Sequence, residues 1–368
     1  MAREGDRGAV LVTGGAGFIG SAVVRRLVRT GERAVVNLDR LTYAGSPEAV
    51  AGVADDPRYA FERADVRDGE EVRRVLSDHD PEAVIHLAAA SHVDRSIEEP
   101  PEFLQTNVVG TVVLLEAVLE HWRGLSPARR EAFRFLHVST DEVYGDLADR
   151  GADADRPGSP HRFTELSRYA PNSPYAASKA ASDHFVRAWH RTYGLPTVIS
   201  HGTNAYGPWQ HPEKLIPHMV IRALEGRSLP VYGDGRQVRD WLHVEDHARA
   251  LTRILEGADP GDVYNVGGDE EHTNLEVVRA VCDLLDELAP REDGASHRER
   301  IERVEDRPGH DRRYAVDAAR LREELGWEPG VAFEEGLRRT VTWYLEHRDW
   351  IRRVREGGYR PERRGVVE

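Results

Sequence analysis

The chain reads as an α/β protein, a doubly wound parallel sheet with a smaller, irregular α+β lobe for substrate. Three observations carry this. A short apolar run at 9–13 leads into glycines and then a helical pattern over 18–28, which is the order strand, tight turn, helix. Similar pairs recur through the first half, and apolar strands alternating with amphipathic helices indicate a parallel sheet covered on both faces. After about Ser200 the alternation weakens and turn residues gather at Gly207-Pro208, Gly226, Pro230 and 233–235.

In chain order, the pattern predicts strands at 9–13, 34–38, 59–63, 83–87 and 133–138. The first is followed by the helix at 18–28, the third by a helix near 69–77, and the fourth by one from about Glu102 to His121. Ser173 reads as an N-cap and Pro174 as the first residue of a further helix. A helix at 245–255 and a strand at 263–266 look able to rejoin the first sheet. The expected division is therefore 1–203, with 241–267 returning to it, and 204–368. The segment 146–160 reads as a surface insertion and 287–302 as a second polar loop. The arginine-rich tail after Glu346 is expected to pack only in part.

Composition narrows the classes. The formal charge of -14 over 368 residues argues against a nucleic-acid surface, because phosphate backbones demand a basic face. Any phosphorylated ligand must be held locally. No apolar run comes near the roughly 20 residues needed to span a bilayer, and the opening Met1-Ala2-Arg3-Glu4-Gly5-Asp6 has no signal-peptide core. A cytoplasmic protein without membrane contact is expected. The single cysteine, Cys282, excludes an intrachain disulfide or a cysteine-rich metal site and is expected to be a buried thiol. No metal is expected.

Gly14, Gly17 and Gly20 give G-x-x-G-x-x-G between the first strand and the first helix, the context for a dinucleotide. Glycine permits the turn and close approach to the pyrophosphate, while the helix start at Phe18 and Ile19 offers unpaired amides. Asp39 closes the second strand, where a carboxylate would accept bonds from the ribose hydroxyls and repel a 2′-phosphate. That favours NAD over NADP, although Arg40 beside it could tolerate the phosphate. Asp65-Val66 and Leu87-Ala88-Ala89, after the third and fourth strands, should line the cofactor path. The first half is a Rossmann-type domain.

Only two of the 50 basic residues are lysines, Lys179 and Lys214. Lys179 lies four residues after Tyr175, so both should point from one face of the Pro174 helix. An ammonium beside a phenol lowers the phenol pKa and makes it a usable base; an accidental surface pair is the plainer alternative. Ser139-Thr140-Asp141-Glu142-Val143-Tyr144-Gly145 follows the fifth strand, at the edge where open α/β sheets bind ligands. Two adjacent carboxylates there are either catalytic or a solvated, capping turn.

With these motifs, the chain resembles the extended short-chain dehydrogenase/reductases, and among them the dTDP-glucose 4,6-dehydratases. The likeness extends to Asp39-Arg40-Leu41-Thr42-Tyr43-Ala44-Gly45, Ser91-His92-Val93-Asp94-Arg95-Ser96-Ile97, Pro212-Glu213-Lys214-Leu215-Ile216-Pro217, Arg239-Asp240-Trp241-Leu242 and Arg307-Pro308-Gly309-His310-Asp311. Thr140-Asp141-Glu142 discriminates, because related sugar epimerases carry serine and small residues there.

The resemblance implies NAD as cofactor and a nucleotide-sugar substrate. Tyr175, aided by Thr140 and Lys179, would take the C4 hydroxyl proton as hydride leaves C4. Glu142 would remove the C5 proton, a protonated Asp141 would protonate the departing C6 hydroxyl, and hydride would return to C6. Two carboxylates in one closed site should have separated pKa values. Thr42, Thr106 and Asn204 join the cofactor path. His92, Thr140, Asn204, Glu213, Lys214, Leu215, Tyr232, Arg239, Asn274, Arg307 and His310 would form the substrate pocket. A homodimer is implied, with the helices from about Glu102 and from Pro174 paired across a two-fold axis into a four-helix bundle.

There are departures from the family pattern. Ala90 stands where glutamate is usual, and His201-Gly202-Thr203-Asn204-Ala205 where Arg-Cys-Ser-Asn-Asn is usual; these bear on sugar and nucleotide specificity. The alternatives are a nucleotide-sugar 4-epimerase or decarboxylase of the same fold, and a catalytically silent NAD-binding regulator.

Overall fold

The computed structural model describes residues 7–31, 33–150 and 154–356. The opening hexapeptide, three residues of the expected insertion and the tail beyond 356 lie outside the described residues. Seven parallel strands form the main sheet: β1 (Arg7–Thr13), β2 (Arg33–Leu38), β3 (Tyr59–Glu62), β4 (Ala83–His86), β5 (Arg134–Thr140), β6 (Thr197–Gly202) and, after an excursion, Val263–Val266. The last of these pairs in parallel with β6, with Val263 opposite Ile199. Successive residues alternate between two cores. Val10, Val12 and Ile85 pack under the helices Phe18–Thr30 and Val244–Gly257. Leu11, Val36 and Val84 pack under Gly69–His79 and Gly110–Gly124. Burial on both faces explains why these strands read as continuous apolar runs rather than as alternating ones.

The chain leaves β1 toward β2 and β3 on one side and resumes with β4, β5 and β6 on the other. The connections diverge above the carboxyl ends of β1 and β4, which opens a cleft at that edge.

The second lobe is built on two small sheets and a separate apolar core. Asn204–Tyr206 and Glu271–Thr273 flank Val238–His243, and Leu229–Tyr232 pairs with Ile301–Val304. Within 241–267, the helix Val244–Gly257 and strand Val263–Val266 pack with the main sheet, whereas residues 241–243 belong to the smaller one. Cys282 is buried in the second core, on the helix Asn274–Leu288.

Two of these expectations need correction. The 287–302 segment is not all loop: it ends by entering the strand Ile301–Val304. The insertion is exposed at 155–158, as a surface segment should be, and the fully buried Arg313 guanidinium anchors its end by donating to the carbonyls of Ala154, Ser159 and His161. The tail packs in part, as expected: its helix Arg348–Glu356 buries Trp350 and Ile351 and leaves Arg352 and Arg353 exposed. Finally, the helical stretch Pro100–Gly124 is apolar and long enough to cross a membrane by composition. In this fold its apolar face is the one packed against the sheet.

That stretch carries a wide turn at Leu104–Val109. Such turns free backbone carbonyls, and here the Asn107 carbonyl is taken up by the hydroxyls of Thr111 at 2.5 Å and Ser182 at 2.7 Å.

Candidate active site

The turn after β1 needs its glycines. Gly14 has φ +73, and a Cβ on it would sit 2.7 Å from the Ala88 nitrogen; on Gly20 it would lie 2.1 Å from the Gly14 carbonyl oxygen. Helix and turn therefore pack closer than any side chain allows. Gly17 is the N-cap and brings no capping side chain, so the first-turn amides of Phe18 and Ile19 face the cleft.

Asp39 is buried and accepts from the amides of Ala16 at 3.0 Å and Leu41 at 2.8 Å. Burial pushes its carboxyl up, and those two bonds pull it back. Arg40 is already engaged, donating to Asp65 at 3.0 Å and Glu102 at 3.3 Å. It is thus committed to carboxylates rather than open to a 2′-phosphate. Burial raises the Asp65 carboxyl, but Arg67 and Arg40 override this and hold it at about 2. The Thr106 hydroxyl is buried without a partner. An acid at the ribose position, open helix-start amides and an orphaned hydroxyl together fit NAD.

A single cavity of about 330 Å³ contains this turn together with Thr42, Val66, Leu87, Ala88, Ala89, Asn204, Glu213 and Lys214. Thr140, Asp141, Glu142, Tyr175 and Lys179 line the same space. Thr140 ends β5 and caps the turn that follows it, accepting from the Glu142 amide at 3.4 Å. Tyr175 and Lys179 share the face of the helix Pro174–Tyr193 whose N-cap is Ser173.

The two acids differ. Burial first, then the Glu142 charge, push Asp141 up to about 7. The hydroxyl of Thr203 lies 2.9 Å from the Asp240 carbonyl and 3.1 Å from Asp141 Oδ2. It has one proton; spent on the carbonyl, it leaves the oxygen to accept from a protonated Asp141. Glu142 is also raised by burial, but Arg307, Arg239 and Lys214 draw it down.

The expected lowering of the Tyr175 phenol is not found. Burial, then Glu142, raise it, and only hydrogen bonding to Thr140 opposes them. Lys179 Nζ instead donates to the Val138 carbonyl at 2.9 Å, and burial lowers the ammonium to about 8. Desolvation is the largest influence on the phenol.

The remaining substrate candidates lie beside the cavity rather than on its wall. Arg307 at 3.0 Å and Tyr232 at 3.3 Å both donate to Asp94. His310 pairs with Asp306 at 2.6 Å, its ring 6.0 Å from that of Tyr232. Arg239 is buried over the Tyr314 ring and donates to the carbonyls of Val238 and Asp311. His92 caps the helix Val93–Glu98 and stands 3.6 Å from Glu213. Leu215 and Asn274 each begin a helix.

Sequence reading missed Asn107. Its side chain brackets residue 90, accepting from the Ala90 amide at 2.8 Å and donating to the Ala90 carbonyl at 2.9 Å and Ser178 at 2.8 Å. The polar run Gln105-Thr106-Asn107 ahead of an apolar helix was the available signal. Gln210 was also passed over: it lines the cavity and donates to the Ala205 carbonyl at 2.8 Å.

Known proteins are similar to this chain over nearly its whole length. The family model described as GDP-mannose 4,6 dehydratase matches residues 11–340. A dTDP-glucose 4,6-dehydratase of Neisseria meningitidis is 56% identical over 97% of this chain and 99% of its own, and one of Shigella flexneri is 55% identical over 95% and 96%. A Streptomyces venezuelae dTDP-glucose 4,6-dehydratase crystallised with NAD superposes with a TM-score of 0.83 at 44% identity, covering 94% of this chain and 99% of the other. A Thermus thermophilus UDP-glucose 4-epimerase, also with NAD, gives 0.78 at 33% identity over 92% and 99%. With a family model spanning most of its length and relatives above half identity across nearly all of it, the chain belongs to the dTDP-glucose 4,6-dehydratase family of extended short-chain dehydrogenase/reductases.

Proposed function

We propose that this chain is an NAD-dependent hydro-lyase that removes water from dTDP-glucose to give the 4-keto-6-deoxy sugar. The observation that carries the reading is the pair Asp141 and Glu142 on the wall that also holds Tyr175 and Lys179, one acid raised to about 7 and the other facing three cations. Bound NAD supplies the acceptor for the C4 hydride and the donor that reduces C6. Tyr175 receives the proton of the C4 hydroxyl, with Thr140 bonded to the phenol. Glu142 takes the C5 proton, made acidic by the C4 ketone, and later returns a proton to C5. Asp141 delivers its proton to the C6 hydroxyl, which leaves as water. Arg239, Arg307 and Lys214 offer the positive charge that a diphosphate needs on an acidic protein, with a neutral His310 beside them, Asn274 bonding the ligand and Tyr232 toward the base.

The same reading divides the chain into a cofactor lobe over 1–203, with 241–267 returning, and a substrate lobe over 204–368. It places the chain in the cytoplasm, where NAD and nucleotide sugars are available. A homodimer completes it. Leu104, Val109, Phe185 and Tyr193 are exposed on the two long helices, and a two-fold pairing into a four-helix bundle would cover them.

The test is incubation with dTDP-glucose and with UDP-glucose, scored by alkali-induced absorbance of a 4-ketosugar. We expect turnover of the thymidine substrate. Tyr175→Phe should abolish cofactor reduction, whereas Glu142→Gln should still oxidise C4 yet release no water. An epimerised product with no loss of water would overturn the reading in favour of a 4-epimerase.

A further inference from the structure

Arg239 is a buried cation that its surroundings hold without a carboxylate. The residue is 5% exposed. Its guanidinium donates to the main-chain carbonyls of Val238 at 2.7 Å, Asp311 at 3.0 Å and Arg312 at 3.5 Å, and it forms no ion pair among the described residues. Arg307, its partner in the proposed diphosphate pocket, is by contrast already paired with Asp94 at 3.0 Å. A buried charge is costly unless something answers it, so the fold has to compensate Arg239 in some other way.

The answer is an aromatic face. Arg239 Cζ lies 4.4 Å from the centroid of the Tyr314 ring, within the range at which a ring quadrupole attracts a cation. The ring is itself 4% exposed and is fixed at both ends. The Tyr314 amide donates to the Val238 carbonyl at 3.2 Å, while the Val238 amide donates to the Arg312 carbonyl at 2.8 Å, so the segment carrying Tyr314 is tied to the strand carrying Arg239. At the far end the Tyr314 hydroxyl donates to the Asp311 carboxylate. The other oxygen of Asp311 accepts from Asn172 Nδ2 at 2.6 Å, just ahead of the helix Pro174–Tyr193 that carries Tyr175. A continuous set of contacts therefore runs from the catalytic helix to the ring on which Arg239 rests.

Stacking restrains the plane of a guanidinium without using any of its N–H groups, and the fork carries more of these than the three carbonyls take up. A carboxylate in place of the ring would hold the side chain as firmly, but it would neutralise the cation and repel a diphosphate. The charge is also directed at the reacting end of the cleft. Burial raises the Glu142 carboxyl, and Arg307 and then Arg239 draw it down.

We propose that Tyr314 is a positioning residue for the substrate diphosphate: its ring face, fixed through the hydroxyl to Asp311, holds the Arg239 guanidinium in place with its charge kept for the phosphates. The proposal rests on the reading of Arg239 as a diphosphate ligand, and its test is binding of the nucleotide rather than turnover. Calorimetric titration of the NAD-loaded protein with dTDP, at one ionic strength, compares the parent protein with Tyr314→Leu, Arg239→Ala and the double variant.

Tyr314→Leu should weaken dTDP binding by about 3- to 30-fold, the range for a buried cation on a ring face. In the Arg239→Ala background the same change should have no further effect beyond about twofold, because the ring acts through the arginine. Tyr314→Phe, which keeps the face, should lose less than Tyr314→Leu. Parent-like affinity in Tyr314→Leu, or an equal loss in both backgrounds, overturns the proposal. If Tyr314→Leu does not fold, pentafluorophenylalanine in place of Tyr314 decides: it has nearly the shape of phenylalanine with the charge distribution of the ring reversed, and an affinity equal to that of Tyr314→Phe overturns the proposal. Parent-like binding in Arg239→Ala would strike the reading of Arg239 and the proposal with it, whereas weak binding there beside an unchanged Tyr314→Leu strikes the proposal alone.

Discussion

Replacing Asp141 by asparagine keeps the shape of the side chain and its bonding partners Thr140 and Thr203, while removing one titration. Burial and the Glu142 charge raise this carboxyl from an ordinary 3.8 to about 7. At about 1.4 kcal/mol for each pH unit between those values, ionising it in the folded chain costs on the order of 4 kcal/mol. The sign follows from proton counting. Between the two values the folded chain holds a proton that the unfolded chain has lost, so stability falls as pH rises through this window. The penalty is absent below the unfolded value and complete above about 7. Asparagine never incurs it. Asp141→Asn should therefore gain stability over the parent protein between pH 5 and pH 8 by roughly 3 kcal/mol, while losing dehydration because the amide has no acidic proton. Chemical unfolding of both proteins at matched concentration and saturating NAD gives the difference. A gap between them that does not widen with pH, or that widens toward acid, would refute the account of Asp141 as a carboxylic acid held neutral by its surroundings.

Two further outcomes test the cofactor wall. Asp39→Ala removes the acceptor at the ribose position and leaves the Ala16 and Leu41 amides without their partner. NAD binding, followed by fluorescence titration, should weaken about 10- to 100-fold, the range for a charged hydrogen bond, with discrimination against NADP reduced. Asn107→Ala strips both bonds from the Ala90 backbone and should destabilise the fold by about 2–4 kcal/mol in chemical unfolding. A change below about 0.5 kcal/mol would mean that residue 90 holds its position without that bracket.

Features that depend on local strings were legible from the chain. The glycine turn, the acid ending β2, the capped helix carrying Tyr175 and Lys179 and the carboxylates after β5 each need only neighbours a few residues apart. The alternation of strands and helices then fixes which end of the sheet carries the cleft. What escaped depends on distant partners. Nothing near Arg40 announces that Glu102 and Asp65 will claim it. The phenol of Tyr175 was expected to feel Lys179 first, but a whole-site property, burial, dominates. The anchor of the surface insertion, Arg313, stands far along the chain and could not be read from it. Asn107 resembled an ordinary helix residue.

These misses share a cause that also explains how the site divides its labour. Burial pushes Asp39, Asp141 and Glu142 in the same direction, toward the protonated form. Their tasks are separated by what each one faces. Asp39 meets two backbone amides and remains an acceptor. Glu142 meets Arg307, Arg239 and Lys214, which oppose its burial and pull it toward the carboxylate a base must be. Asp141 meets Glu142 and a hydroxyl whose proton is claimed elsewhere, and is favoured as the acid. Residue type alone would allow either acid to take either part. Arg239 lowers both carboxyls, whereas Arg307 and Lys214 bear on Glu142 and not on Asp141, and that difference is what would make one the base and the other the acid.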